Sequence, residues 1–218
     1  MEPAAAIQDL RLQRACDLQR AACGLWSLAA LRGRLTELVG GADSANLSVA
    51  SRLILQAQMA GDFAAWVTTH RDTFFPPDFA AAGIDLDCLP VVWALSPPEA
   101  SADTIRVARR AARAAERLLR SGAFGLVVID LADDLSVDAA SQGRLLRLAE
   151  ANRAQVLMLR RRREDDRYSG SLVGVRAETS CSQIGPGRFR VTVRNTKDKR
   201  TGPGWTVSED LDGPPGLY

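Results

Sequence analysis

Apolar runs that alternate with helical segments through residues 35–160, then strand-like segments with no helix between them, predict an α/β fold. The expected form is a doubly wound, mainly parallel sheet extended by antiparallel C-terminal strands, with a helix at the N-terminus. The runs at 35–39, 64–68, 90–95, 125–130 and 155–160 have the continuous hydrophobicity of strands buried on both faces. The stretches between them carry apolar residues at helical spacing and supply the crossovers that parallel neighbours need. After residue 170 the segments are joined by turns rich in glycine and proline.

A chain of 218 residues is long enough for one α/β domain with a sizeable core, and its composition (46% hydrophobic, 25% charged) is that of an ordinary soluble globule. The net charge of +2 creates no chain-wide field that demands nucleic acid as a partner. Lysine occurs only at Lys197 and Lys199, so nearly all the positive charge is arginine. A genome rich in G and C explains that bias, although arginine is also the better residue for ion pairs and phosphate contacts. Cys16, Cys23, Cys88 and Cys181 form no C-x-x-C pair, and His70 is the only histidine, which argues for reduced thiols and against zinc. There is no 18-residue apolar run and no basic, apolar leader, so a cytoplasmic protein with no membrane partner is expected.

Residues 4–31 show a helical pattern, with Ile7, Leu10, Leu18, Ala22 and Leu25 near one face and Gly24 as a break point. A core domain is expected over 32–208, after an N-terminal helical segment (1–31) and before a flexible tail (209–218). Strand 35–39 leads through a small-residue turn into helix 46–60, which Gly61 closes. Strand 64–68 and a short helix begun by Pro76-Pro77 come next. Strand 90–95 stops at Ser96-Pro97-Pro98. Helix 101–120 has Val107, Ala111, Ala114, Ala115 and Leu118 as its apolar stripe. Its arginines (Arg106, Arg109, Arg110, Arg113, Arg117 and Arg120) decorate the other faces and read as a solvated surface. Gly122 caps it, and strand 125–130, helix 138–152 and strand 155–160 complete the alternation. The segments 171–181, 188–195 and 204–208 read as the antiparallel extension.

The turn after the first strand stands where a phosphate-binding loop would place G-x-x-x-x-G-K-[ST]. Gly40 and Gly41 are present. Counting from Gly40, the second glycine is replaced by Ala45, the lysine by Asn46 and the magnesium-binding hydroxyl by Leu47. Asp43 adds negative charge where phosphate oxygens would sit. A chance strand–turn–helix explains the loop as well as a decayed nucleotide site does. GLVVID, ending at Asp130 with Asp133 and Asp134 behind it, supplies the apolar strand and acid of a Walker B sequence and favours a P-loop ancestry.

These stretches together resemble the RecA family over residues 32–208. The residues that carry the resemblance are RLTELVGG with the helix SRLILQAQMAGD, AAGIDLDCL, the run through Ser121-Gly122-Ala123 to LVVID, and FRVTVRNTKDKRTGPGWTV. The arrangement is most similar to the group that contains the mutagenesis accessory protein ImuA and the division inhibitor SulA. The resemblance implies a RecA-like core, but with departures. The stretch Thr68-Thr69-His70 lacks the family's catalytic acid, which leaves His70 as a loop residue. The chain after Asp130 is short for a first DNA loop, and Arg160-Arg161-Arg162-Arg163 followed by acids stands where a second would be.

The resemblance then implies a non-catalytic adaptor in the bacterial SOS response to DNA damage, supporting translesion synthesis. It would bind an ImuB-like inactive Y-family polymerase, with RecA as a second partner. No catalytic residue, cofactor or metal is expected. Ile7, Leu10, Arg14 and Leu18 are candidate partner contacts, because RecA protomers dock an N-terminal helix on a neighbour. Arg160, Arg161, Arg162, Arg163, Arg194, Lys197, Lys199 and Arg200 are candidate partner or phosphate contacts. Weak or absent direct DNA binding is expected, because acids interrupt the strip and no aromatic residues interleave with it. The alternatives are a DNA-binding protein, a SulA-type division inhibitor, or a weak ATPase in which Arg34 or Arg52 reaches the phosphates.

Overall fold

The computed structural model describes residues 26–41, 43–95, 104–131, 135–161 and 170–213. The parallel strands are β1 (Leu35–Gly40), β2 (Phe63–Thr68), β3 (Val91–Trp93), β4 (Phe124–Asp130) and β5 (Gln155–Arg161). β6 (Val175–Gly185) runs parallel to β1; β7 (Arg188–Asp198) and β8 (Thr206–Asp212) are antiparallel hairpin strands beyond it. All eight form one sheet in the order β3-β2-β4-β5-β1-β6-β7-β8. The helices are α1 (Leu28–Leu31), α2 (Asn46–Met59), α3 (Pro76–Ala81), α4 (Thr104–Arg120) and α5 (Ala139–Asn152). Among the described residues no helix is long and apolar enough to cross a membrane.

The sheet is covered on both faces, which is why its central strands are apolar at nearly every position. On one face Leu38, Trp66, Val128 and Leu157 meet Val49, Leu53 and Ile54 of α2 and Phe79 of α3. Trp66 is fully buried and packs edge-on against Phe79, with ring centroids 5.3 Å apart, a geometry worth about 0.5–1.5 kcal/mol beyond area burial. On the other face Leu35, Val67, Val127, Ile129 and Met158 meet α4 and α5. Asp138 caps α5 by accepting from the Ser141 N–H at 2.9 Å, and that bond chiefly holds its carboxyl below the usual range. α5 ends on Arg153 in the left-handed region, φ 52°.

Several expectations need correction. Of the helix expected over 4–31, residues 1–25 lie outside the described part, and with them Ile7, Leu10, Arg14 and Leu18. Residues 28–31 form a short helix, α1, which Ser27 caps by accepting from Ala30 N–H. Trp26, Leu28 and Leu31 are buried in the α2-side core. The tail expected from 209 is strand as far as Asp212, because Val207 and Leu211 pack on that core while their neighbours face out. β6 begins at Val175 and not at 171, after a turn at Gly170–Gly174, and β7 runs on to Asp198. The buried stripe of α4 is Val107, Ala108, Ala111, Ala112, Ala115 and Leu119, with Ala114 and Leu118 at its margin.

Candidate functional site

The altered loop and Asp130 both lie at the carboxyl ends of the parallel strands, on either side of β5, where open α/β sheets bind ligands. β1 ends at Gly40, and the chain turns back so closely that a Cβ on Gly40 would lie 2.3 Å from Ser44 Cβ. The turn is closed by Ser44 N–H donating to Gly41 O at 3.2 Å, and Asp43 O accepts from Cys181 N–H on β6 at 2.8 Å. The loop is therefore stitched to the neighbouring strand as well as to the helix it precedes.

Asn46, at the lysine position of the motif, points inward and is buried. Its Nδ2 donates to Arg160 O on β5 at 2.9 Å and to Leu38 O on β1 at 3.5 Å. Its Oδ1 accepts from the Thr179 hydroxyl on β6 at 2.7 Å. One side chain thus ties three adjacent strand ends together. Thr179 Oγ1 also accepts from Ala45 N–H at 3.2 Å, and Ser44 Oγ accepts from Asn46 N–H at 3.2 Å.

A phosphate-binding loop works by presenting successive backbone N–H groups and a helix N-terminus to the anion. Here the N–H groups of Ser44, Ala45 and Asn46 all have partners inside the protein. Leu47 offers no oxygen and is partly exposed. Arg34 and Arg52, the cations considered for a displaced contact, are engaged with Asp198 and Glu209.

Asp130 is buried at the end of β4. Its carboxylate accepts from Thr68 Oγ1 at 3.3 Å, from the Thr73 hydroxyl, and from His70 Nε2 at 3.2 Å in the tautomer that protonates that nitrogen. Its carbonyl accepts from Thr69 N–H and Thr69 Oγ1. The segment after β2 thus folds over the acid and occupies acceptor positions for which a hydrated magnesium ion would have to compete. His70, expected to be a plain loop residue, is one of these donors. The donor set does not fit a magnesium–nucleotide complex.

The expected basic strip is not one surface. Arg160 and Arg176 both pair with Glu37 on β1, at 2.8 Å and 3.3 Å. Arg194 pairs with Glu178, and Arg190 holds Asp210 through two bonds of 2.7 and 3.0 Å. Lys197 donates to Gly170 O at 3.2 Å; burial pushes its ammonium down, and Lys199 adds to the effect. Lys199 and Arg200 are exposed near the start of β1, at the opposite end of the sheet from the loop. Arg161 is exposed, while Arg162 and Arg163 lie outside the described residues.

Sequence reasoning missed Thr179, Glu37, Thr68 and Thr73. None stands near its long-range partner along the chain: Asn46 and Thr179 are 133 positions apart.

No protein-family model matches the chain. It is 33% identical over 115 residues to the RecA protein of Corynebacterium diphtheriae, a match covering 52% of this chain and 27% of that one. The RecA protein of Corynebacterium glutamicum matches with the same identity and coverage. That of Kineococcus radiotolerans is 32% identical over 115 residues, or 52% of this chain and 29% of that one. The matched stretch spans little more than a quarter of the length of these curated relatives. This distant similarity, with the sheet described above, supports a place in the RecA-like superfamily.

Proposed function

We propose that this chain is a non-catalytic RecA-like module that acts by protein–protein contact in the bacterial response to DNA damage. In this reading it is an adaptor for translesion synthesis, binding an ImuB-like inactive Y-family polymerase and, as a second partner, RecA. The observation that supports it most is the inward-facing Asn46, which stands at the lysine position of the motif and joins β1, β5 and β6. The donors gathered on Asp130 point the same way.

A nucleotide-driven machine needs its phosphate N–H groups and its metal-holding acid available on every turnover. A docking module needs only a rigid surface, and internally paired loops stiffen one. Distant similarity to RecA proteins supports the DNA-damage setting. The test is capture of purified RecA and of an ImuB-type polymerase homologue by the full-length chain. Binding of at least one without added nucleotide is expected, and binding of neither overturns the proposal.

A further inference from the structure

Helix α4 separates its residues sharply. Its buried side is made of small and aliphatic residues that pack on β2, β4 and α5, with buried Glu116 at its edge. The other side is arginine. At 100° per residue, Arg106, Arg109, Arg110, Arg113, Arg117 and Arg120 fall within one arc of roughly 100°, in a row about 21 Å long. All six are exposed. They do not decorate several faces of the helix, as their order along the chain suggests, but form a single stripe.

Like charges at these spacings repel and work against the helix by a few tenths of a kcal/mol per pair, in a chain whose net charge is only +2. At one end the stripe is relieved by Asp138, 3.5 Å from Arg109, and by Leu95 O, which accepts from Arg110. Among the described residues, no carboxylate lies within ion-pair distance of Arg113, Arg117 or Arg120. This contrasts with the arginines of the sheet, whose acids face them across the strands.

Beside the stripe, α4 and α5 leave a cleft of about 230 Å³ lined by Arg109, Arg113, Asp138, Ala140, Ser141 and Arg144. Arg144 is held there by Glu116 at 2.7 Å and by the Ser141 hydroxyl at 2.8 Å. Arg144 is thus engaged within the protein, whereas Arg113 turns its guanidinium to solvent, and a guanidinium can grip phosphate oxygens through two donors at once.

We propose that the arginine stripe of α4 and the adjoining α4–α5 cleft form a docking surface for a nucleic-acid phosphodiester backbone. Neighbouring arginines three and four residues apart are about 5–6 Å from one another at Cβ, close enough to engage successive phosphates of one strand. A protein partner would need buried apolar or aromatic anchors, and the arc carries none. No aromatic side chain on it stacks or reads bases, so the binding is independent of sequence and driven by counterion release. The surface lies on the sheet face opposite α2 and does not depend on the adaptor role.

The test is fluorescence anisotropy of the full-length chain with labelled single- and double-stranded DNA of mixed sequence, titrated between about 50 and 300 mM salt. Affinity is expected to fall with salt. Arg113→Glu with Arg117→Glu should weaken binding at least about tenfold at low salt and lower the salt slope by about two. Lys199→Glu with Arg200→Glu, at the far end of the sheet, should stay within about twofold. Melting curves verify folding, and Arg113→Gln with Arg117→Gln gives the same reading should the charge reversal unfold the helix. Three results overturn the proposal: no binding at about 50 mM salt; loss on changing Lys199 and Arg200 but not the stripe; or competition by poly-glutamate as strong as by unlabelled DNA, which would make the occupant an acidic polypeptide.

Discussion

The Thr179 hydroxyl donates to Asn46 Oδ1 at 2.7 Å while accepting from Ala45 N–H, and so fastens the start of α2 to β6. Removing that hydroxyl leaves a buried donor and a buried acceptor unpaired, at about 1–3 kcal/mol. Thr179→Val, which preserves shape, should lower the melting temperature by several degrees, and Thr179→Ser should recover most of the loss. Thermal unfolding followed by circular dichroism checks both.

Asn46→Lys restores the lysine of the motif yet removes the ties to Leu38 O, Arg160 O and Thr179. Because the N–H groups of Ser44, Ala45 and Asn46 stay engaged, the variant should lose stability, by about 1–3 kcal/mol, and gain no nucleotide affinity. Denaturant titration and ATP binding measured on the same preparation separate the two effects.

Gly40→Ala places a methyl group 2.3 Å from Ser44 Cβ and 3.1 Å from Ser44 Cα. The turn has to open, with loss of the Ser44 bonds, at about 1–3 kcal/mol. Gly41→Ala meets only Asp43 Oδ1 at 3.4 Å and should fall within about 0.5 kcal/mol of the parent. Equal effects at the two positions would contradict the tight turn.

Arg34 and Asp198 form a buried pair that carries a pH signature. Burial opposes ionisation of Asp198, but the Arg34 guanidinium, the Arg200 N–H and the Thr201 hydroxyl together outweigh it and hold the carboxyl at about 2, down from 3.8. The unfolded chain therefore takes up this proton first. The contribution of these partners together, about 2 kcal/mol, is present above about pH 4 and is lost as pH falls towards 2. Arg34→Met should destabilise the protein near neutral pH by about 3 kcal/mol, because it strands a buried carboxylate, and should flatten stability over that acid range.

The strands β1, β4 and β5 are legible in the sequence because strands buried on both faces read as unbroken apolar runs. The strand β8 is not. Its acids Glu209, Asp210 and Asp212 suggest a tail, whereas Arg52, Arg190 and Arg188 face them across the fold. The stripe of α4 is hard to place because alanine is so frequent there that several registers look equally apolar. The loop's departure from the phosphate-binding pattern is plain in Ala45, Asn46 and Leu47. The new role of Asn46 is hidden, since Thr179 and Arg160 reach it only through strand neighbours distant along the chain. The same holds for His70 and Asp130, which no spacing or motif pairs in advance.

We propose that the loop ties around Asn46 and the separate ties around Asp130, on either side of β5, leave no working nucleotide site. Calorimetric titration of the full-length chain with ATP and magnesium tests it most directly. The expected result is no saturable heat at nucleotide concentrations where an active P-loop protein is filled. Saturable binding that needs magnesium and disappears in Asp130→Ala would contradict it.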